Sequence, residues 1–280
     1  MVNDFGLVKM DDKSFARLTS YVTGEYGIKL PEAKKTMLEA RLQKKIRSLG
    51  MDSYEKFLNF IFSEQGKQKE LLDVIDLITT NKTDFFRERG HFHFLANQFI
   101  PEYLEGSGDS RLKIWSAGCS TGEEPYTLVI VLEDLIRAGY RFAYDLLATD
   151  ISIRVIQTAH KGIYPLDGIQ TVSPDQRKRY FLKSTTGNSM VRVKQEFRNK
   201  ITYKRLNLMN PNYGFRAQEF DVIFCRNVLI YFDKATKEKV INKLCKHLKP
   251  GGILFLGHSE SIIGMNVPLE QVGTTTYKKK

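Results

Sequence analysis

The residues Ile114-Trp115-Ser116-Ala117-Gly118-Cys119-Ser120-Thr121-Gly122-Glu123-Glu124-Pro125-Tyr126 run from an apolar stretch through a turn of small residues into a helix start. That helix opens on two carboxylates and a proline. Small residues let a ligand approach the backbone, and the first turn of a helix offers unpaired N–H groups. An open α/β sheet holds nucleotide-like ligands in this way, at the carboxyl ends of its strands. A second segment, Leu146-Leu147-Ala148-Thr149-Asp150, is an apolar strand ending in an acid. A carboxylate there can accept hydrogen bonds from both hydroxyls of a ribose. Alone, such an Asp serves as often as a helix N-cap, here before Ile151-Ser152-Ile153. The small-residue loop and the strand-end acid together favour an adenosine ligand. Gly118 and Gly122 are four apart, and the middle glycine of the G-x-G-x-x-G fingerprint is missing, which argues against a nicotinamide dinucleotide.

Positioning these groups takes alternating elements. Strands are expected at 112–116, 145–149, 222–224 and 253–256, and helices at 125–138, 153–159 and 234–247. Strand, helix, strand repetition predicts parallel pairing and a doubly wound sheet. Lys249-Pro250-Gly251-Gly252 reads as a tight turn into the last of these strands. Val191-Arg192-Val193 and Ile201-Thr202-Tyr203 read as short antiparallel strands, so a β insertion is expected over about 165–205. Residues 1–95 read as helical: Leu38, Leu42, Ile46 and Leu49 recur at helical spacing, as do Leu71, Val74, Ile75 and Ile78. Gly50 closes one helix and Asp52-Ser53 offers caps for the next. The boundaries expected are a helical domain with a linker helix over 1–95 and an α/β domain over 96–280. Residues 106–110 form a turn-rich break, and Lys278-Lys279-Lys280 reads as a frayed end.

The 280 residues suffice for one large domain and one small one, each with a core. No apolar run of about 18 residues is present, so no membrane span is expected. Met1-Val2-Asn3-Asp4 lacks a basic region followed by an apolar stretch, so no signal peptide is expected. Cys119, Cys225 and Cys245 are odd in number and far apart, which points to a reducing compartment without disulfides or a zinc site. The net charge is +11, and residues 177–205 hold ten Lys or Arg against one acid, Glu196. That charge suits either an acidic partner or a solvated face.

Four ordered segments carry a resemblance: Asn81-Lys82-Thr83-Asp84-Phe85-Phe86-Arg87, Ser116 to Tyr126, Cys225-Arg226-Asn227-Val228-Leu229-Ile230-Tyr231-Phe232, and Gly257-His258-Ser259-Glu260. Together they resemble the chemotaxis receptor methyltransferases of the CheR type over nearly the whole chain. The resemblance implies a Rossmann-like class I methyltransferase sheet, dependent on S-adenosylmethionine (AdoMet), with an N-terminal helical domain and an inserted antiparallel β subdomain. It implies a cytoplasmic, monomeric enzyme that methylates glutamate side chains on the acidic cytoplasmic helices of chemoreceptors and releases S-adenosylhomocysteine (AdoHcy). Matched motif by motif, Asn81, Thr83 and Arg87 would contact the methionine end of the cofactor and the substrate entrance. Ala117 and Glu123 would lie in the cofactor loop, Asp150 would bind the ribose, and Asn207-Leu208 would flank the adenine. Arg226-Asn227 would close the pocket beneath the sulfonium, and Tyr231 would face the reacting methyl. The basic face of Arg41, Lys44 and Arg47 would dock the receptor helices. No metal is implied.

The chemistry agrees with what the sequence lacks. A glutamate with a pKa of about 4.3 is already ionised at pH 7, so its methylation needs no general base. Positioning and removal of water do the work. Arg87 could hold one carboxylate oxygen and leave the other to attack, with Tyr231 as a second orienting group. Three other readings are weaker. A nucleic-acid methyltransferase suits the charge, but Asn210-Pro211-Asn212-Tyr213 lacks the second proline of the adenine-enzyme motif and precedes the strand it should follow. A non-catalytic AdoMet-binding module would have lost cofactor residues that are present here. A serine nucleophile at Ser259 would need Gly where Ser261 stands. His91 and His93, two apart, would point away from each other on a helix.

Overall fold

The computed structural model describes residues 8–68, 70–79, 82–106, 111–185 and 187–280. The segment 107–110, expected as a turn-rich break, lies outside them. The chain divides into two compact units, Met1–Thr80 with Tyr231–Asp233, and Asn81–Ile230 with Lys234–Lys280.

The smaller unit is helical: α1 Asp12–Tyr26, α2 Lys35–Ser48, α3 Tyr54–Ile61, α4 Glu64–Gln68 and α5 Glu70–Ile78. Asp11 caps α1 by accepting the Ser14 N–H at 2.6 Å, and Ser53 caps α3 by accepting from Lys56. Both satisfy helix-start donors that would otherwise lack a partner. The apolar stripes read from spacing are the core: Leu38, Leu42 and Ile46 are fully buried, and Leu71, Val74, Ile75 and Ile78 nearly so.

The larger unit begins with α6 Arg89–Phe94, a π-helical turn Leu95–Phe99 and α7 Ile100–Gly106. Phe92, Leu95, Phe99 and Ile100 belong to the same core as the sheet residues Leu112, Ile114, Val222 and Phe224. The division therefore falls after residue 80, earlier than the boundary near 95 expected from helical pattern alone. Periodicity reports that a segment is helical, not which core its apolar face enters.

The chain continues through β1 Arg111–Ala117, α8 Glu123–Arg137, β2 Ala143–Asp150, α9 Ile153–Lys161, β3 Ile163–Pro165, α10 Pro174–Tyr180, β4 Phe181–Lys183, β5 Met190–Val193, α11 Gln195–Arg198 and β6 Ile201–Arg205. It ends with β7 Phe220–Cys225, α12 Lys234–His247, β8 Leu248–Leu256, β9 Leu269–Gly273 and β10 Thr276–Lys279. The described residues build a seven-stranded sheet in the order β6-β2-β1-β7-β8-β10-β9 and a three-stranded sheet in the order β3-β5-β4. Neighbours from β6 to β8 are parallel, while β10 is antiparallel to both β8 and β9. The order reverses at β1, so the loops after β1 and β7 diverge over a crevice, the usual ligand position in such sheets.

Three expectations are corrected. Ile201–Tyr203 is not part of the insertion: β6 pairs in parallel with β2, Ile201 opposite Leu146, as an edge of the main sheet. The small sheet comes from β3, β4 and β5 alone. Lys278 and Lys279 are not frayed but lie in β10, between two strands, and the Lys279 ammonium donates to the Cys245 and Leu248 carbonyls at 2.6 and 2.7 Å. Lys249–Gly252 is the start of β8 rather than a turn before it.

Candidate functional site

One rim of the crevice is the loop between β1 and α8. The Thr149 carbonyl accepts the N–H groups of both Gly118 and Cys119, at 2.8 and 2.9 Å, which turns the chain sharply at the end of β1. Gly118, Ser120 and Gly122 have φ of 96°, 49° and 101°. Two of these positions exclude a side chain on space as well as conformation. A Cβ on Gly118 would stand 2.3 Å from Val228 Cγ2, and one on Gly122 would stand 2.8 Å from both Ala159 Cβ and the Tyr164 hydroxyl.

Asp150, at the end of β2, binds this loop directly. Its Oδ2 accepts the Ser120 N–H at 2.9 Å and its Oδ1 accepts the Ser152 N–H at 3.0 Å. The helix-cap alternative goes to Ser152, whose hydroxyl accepts the Val155 N–H at the start of α9. Ala117 is buried where β1 ends. Leu206 N–H donates to the Asp150 carbonyl at 2.9 Å, which brings the following Asn207-Leu208 to the same end of the sheet. Glu123 opens α8 and accepts the Thr121 hydroxyl at 2.7 Å. Burial pushes its carboxyl up to about 7. Beneath the loop, the Tyr164 hydroxyl on β3 donates to the Thr121 carbonyl at 2.7 Å, and Tyr126 donates to the Ala159 carbonyl at 2.6 Å.

The opposite rim is built on charge. The Arg226 side chain, 2% exposed, meets Glu88 Oε2 and Glu124 Oε2, each at 3.0 Å, and also donates to the Arg87 carbonyl. It lies over the Phe92 and Phe224 rings, 5.3 and 6.0 Å from their centroids. Ser116 donates to the other oxygen of Glu124 at 2.7 Å. Burial raises the Glu124 carboxyl, against the pull of Arg226 and Ser116. Burial also works on Glu88, but the Arg226 charge and the donors from His258, Arg226 and Asn227 outweigh it and leave that carboxyl below its ordinary value. Glu260, 2% exposed, accepts backbone N–H groups from Asn227 at 2.9 Å, Ile230 at 3.1 Å and Gly257 at 2.6 Å. It thereby ties the loop after β7 to the loop after β8.

The residues expected at the site are distributed as follows. Asn81 lies outside the described residues. Thr83 and Arg87 are half-buried in the loop before α6, and the Arg87 guanidinium donates to the Lys82 carbonyl at 2.9 Å. Ala117, Glu123, Asp150, Asn207, Leu208, Arg226 and Asn227 all follow or end strands at the carboxyl edge of the sheet. Tyr231 groups with the smaller unit, where its carbonyl accepts the Lys29 N–H at 2.9 Å and the Lys34 ammonium lies 5.6 Å from its ring centroid. Lys44 and Arg47 are exposed on α2. Arg41 is not part of that free face: its guanidinium caps the end of α5 through the carbonyls of Leu77, Ile78 and Thr79, at 3.1 to 3.4 Å.

Much of the basic stretch 177–205 is likewise occupied. Arg177 donates to the Val172 and Gln170 carbonyls, Arg192 to Lys161, Arg198 to Val193 and Arg205 to Ile151. Arg179 pairs with Asp134 and Lys200 with Glu133. Among the described residues, Glu88, His91 and His258 bring three possible metal-ligand atoms within 4.8 Å of one another. Both Glu88 oxygens already accept from Arg226, Asn227 or the His258 N–H, and a guanidinium stands beside them. Burial and that same Arg226 charge pull the His91 imidazole down to about 4, so it is neutral. A structural role accounts for the cluster.

Sequence reasoning missed Glu88, Glu124 and Glu260 as a set. Glu124 and Glu260 stand inside segments whose spacing was noticed, but nothing in a sequence pairs either with Arg226 or Asn227. Tyr164 gave no signal beyond an aromatic in a short strand.

Comparison with known proteins gives this geometry a context. Residues 81–278 match the family model described as CheR methyltransferase, SAM binding domain, and residues 13–79 match CheR methyltransferase, all-alpha domain. The chain is 39% identical over 282 residues to a chemotaxis protein methyltransferase of Borreliella burgdorferi, covering 99% of this chain and 98% of that one. It is 36% identical over 269 residues to the chemotaxis protein methyltransferases of Salmonella typhimurium and Escherichia coli, covering 96% of this chain and 90% and 91% of theirs. With both of its parts matched in order and a glycine-lined loop, a strand-end acid and a buried arginine at the carboxyl edge of the sheet, the chain belongs to the CheR methyltransferase family.

Proposed function

We propose that the protein transfers a methyl group from AdoMet to glutamate side-chain carboxylates on the cytoplasmic helices of chemoreceptors, forming glutamyl methyl esters and AdoHcy. The observation that carries this reading is that the match to the SAM binding domain spans every loop at the carboxyl edge of the parallel strands.

The residues present fit the cofactor. Asp150 is held at the strand end by backbone N–H groups, where a carboxylate can accept from a ribose diol. Asn207-Leu208 lies beside it to flank the adenine. Gly118, whose missing side chain lets Val228 pack against the turn, keeps the β1–α8 loop tight at the strand end. Glu123 has one hydroxyl donor and a carboxyl that burial holds near neutral, which suits an acceptor awaiting a cationic group. When bound, AdoMet supplies an electrophilic methyl on a sulfonium. Thr83 and Arg87 border the substrate entrance, and Arg87 can turn from the Lys82 carbonyl to grip one oxygen of the acceptor carboxylate. The second oxygen is left to attack. No side chain needs to take a proton, because the acceptor is ionised before it binds. Lys44 and Arg47 suit the acidic receptor helix, whereas Arg41 serves α5.

Transfer of tritiated methyl from AdoMet to receptor cytoplasmic fragments, with total RNA in a parallel tube, tests the reading. Alkali-labile label on the receptor is expected, as for a methyl ester. Label on RNA alone would overturn it.

A further inference from the structure

Residues 84–88 adopt a conformation that needs outside support. Phe86 and Glu88 both have left-handed backbones, with φ of 55° and 56°. Non-glycine residues held this way are strained and persist only where their surroundings over-determine them. The surroundings do so here. Thr127 Oγ1 accepts the Phe86 N–H at 3.1 Å, the Thr171 hydroxyl donates to the Phe85 carbonyl at 2.7 Å, and Arg226 donates to the Arg87 carbonyl.

The Glu88 carboxylate joins this segment to two others. Its Oε2 accepts Arg226 Nη2 at 3.0 Å and Nε at 3.3 Å. Its Oε1 accepts Asn227 Nδ2 at 3.3 Å and the His258 N–H at 3.2 Å. One partly buried carboxylate thus sets the register of the Arg87 segment, the Arg226-Asn227 segment and the start of the loop after β8. The same guanidinium nitrogen, Arg226 Nη2, touches both Glu88 and the Arg87 carbonyl. A change at Glu88 therefore reaches the Arg87 backbone through a single side chain.

We propose that Glu88 is a positioning residue for methyl transfer, acting through Arg226 to fix the Arg87 backbone, and with it the point from which the Arg87 guanidinium reaches the acceptor. The inference rests on the reading of Arg87 as the group that orients the acceptor. Glu88 itself has no spare acceptor direction toward substrate, since both oxygens are spent on protein donors. Its contribution is to geometry, and a misplacement of about 1 Å at a transfer site can cost about a hundredfold in rate.

A double-mutant cycle separates positioning from bulk stability. The full-length protein and its Glu88→Gln, Arg87→Ala and doubly substituted forms are compared for kcat and KM on receptor fragment, with AdoHcy affinity and thermal unfolding measured alongside. Glu88→Gln keeps the size of the side chain and removes the charge that holds Arg226. It should lower kcat about ten- to a hundredfold with receptor KM changed by no more than about threefold. In the Arg87→Ala background the same substitution should change kcat by less than about twofold, because the group it positions is gone. Glu88→Asp, which keeps the charge beside Arg226 but shortens its reach, is the companion if Glu88→Gln unfolds early. It should stay folded and still lose turnover. Equal losses from Glu88→Gln in both backgrounds would overturn the positioning role while leaving Arg87 in place. Full activity of Arg87→Ala would overturn the reading of Arg87 and, with it, this route.

Discussion

The two rims of the crevice are both organised around carboxylates, by opposite means. At the rim after β1, Asp150 accepts backbone N–H groups from Ser120 and Ser152, and glycines supply the turn. Little charge is buried there, and the acid stays only half-buried at the crevice. At the rim after β7, Glu88 and Glu124 enclose Arg226, which is almost wholly out of solvent, and Glu260 braces the backbone behind it. The first rim is a glycine turn closed against Val228, Ala159 and Tyr164. The second is an ion cluster, whose weak net contribution to stability coexists with a heavy cost of losing any one member. The turn on one side and the loop register on the other are thus held by different chemistry.

The contrast can be broken most severely at Arg226. Arg226→Met keeps length and removes charge, leaving Glu88 and Glu124 buried without a cation. Urea unfolding should show a loss of about 3–5 kcal/mol, and a loss under about 1 kcal/mol would mean the cluster is more solvated than its burial indicates. Asp150→Ala should act on the ligand instead. AdoHcy affinity should fall by about 1.5–3 kcal/mol, the scale of hydrogen bonds to a charged group, with part of the loss coming from the freed Ser120 N–H. Calorimetric titration reads this, and unchanged affinity would remove Asp150 from the ribose assignment.

A pH series sharpens the first rim. Glu123 is held protonated up to about 7 by burial, and a cationic ligand group favours its ionised form. AdoHcy affinity should therefore rise by about tenfold from pH 6 to pH 8 as the carboxyl loses its proton, then level off. Glu123→Gln should flatten that profile, and an identical slope in the variant would assign the titration to another group. The sign for folding alone is opposite. A raised native pKa means the folded state retains a proton that the unfolded chain has lost, so this group's contribution to stability declines as pH rises from about 4.5 through 7. The smallest effect is expected away from both rims. Lys44→Glu with Arg47→Glu should lower receptor methylation several-fold at low salt and leave AdoHcy binding intact. Methylation equal to wild type would exclude that face from docking. Arg41 is left unchanged because its loss would uncap α5.

The first rim was legible in the sequence because its chemistry is local. Small residues, a strand-end acid and a following helix start lie within a few positions of each other, and the strands around 112–116, 145–149 and 222–224 are apolar enough to be seen. The second rim was legible only in fragments. Arg226 and Asn227 stand in a recognisable segment, but their partners Glu88 and Glu260 are 138 and 33 positions away. No periodicity records such a pairing. The same limit explains two misplaced strands. Ile201–Tyr203 has the alternation of a short strand, but the parallel partner that takes it into the main sheet is more than fifty residues earlier. Lys278 and Lys279 look like a solvated tail, yet the aliphatic stem of a lysine can run along a strand while its ammonium reaches buried carbonyls, as Lys279 does.

The Tyr164 hydroxyl that holds the Thr121 carbonyl bears on how this protein could be recombined with its relatives. β3 is the first strand of the small sheet, and its middle residue is bonded into the turn that follows β1. The insertion is thus a bracket of the turn after β1 as well as a surface feature. A chimera that exchanges the small sheet between family members would exchange one half of a hydrogen-bonded seam. It should perform as well as its parents only when the tyrosine and the turn it grips are transplanted together.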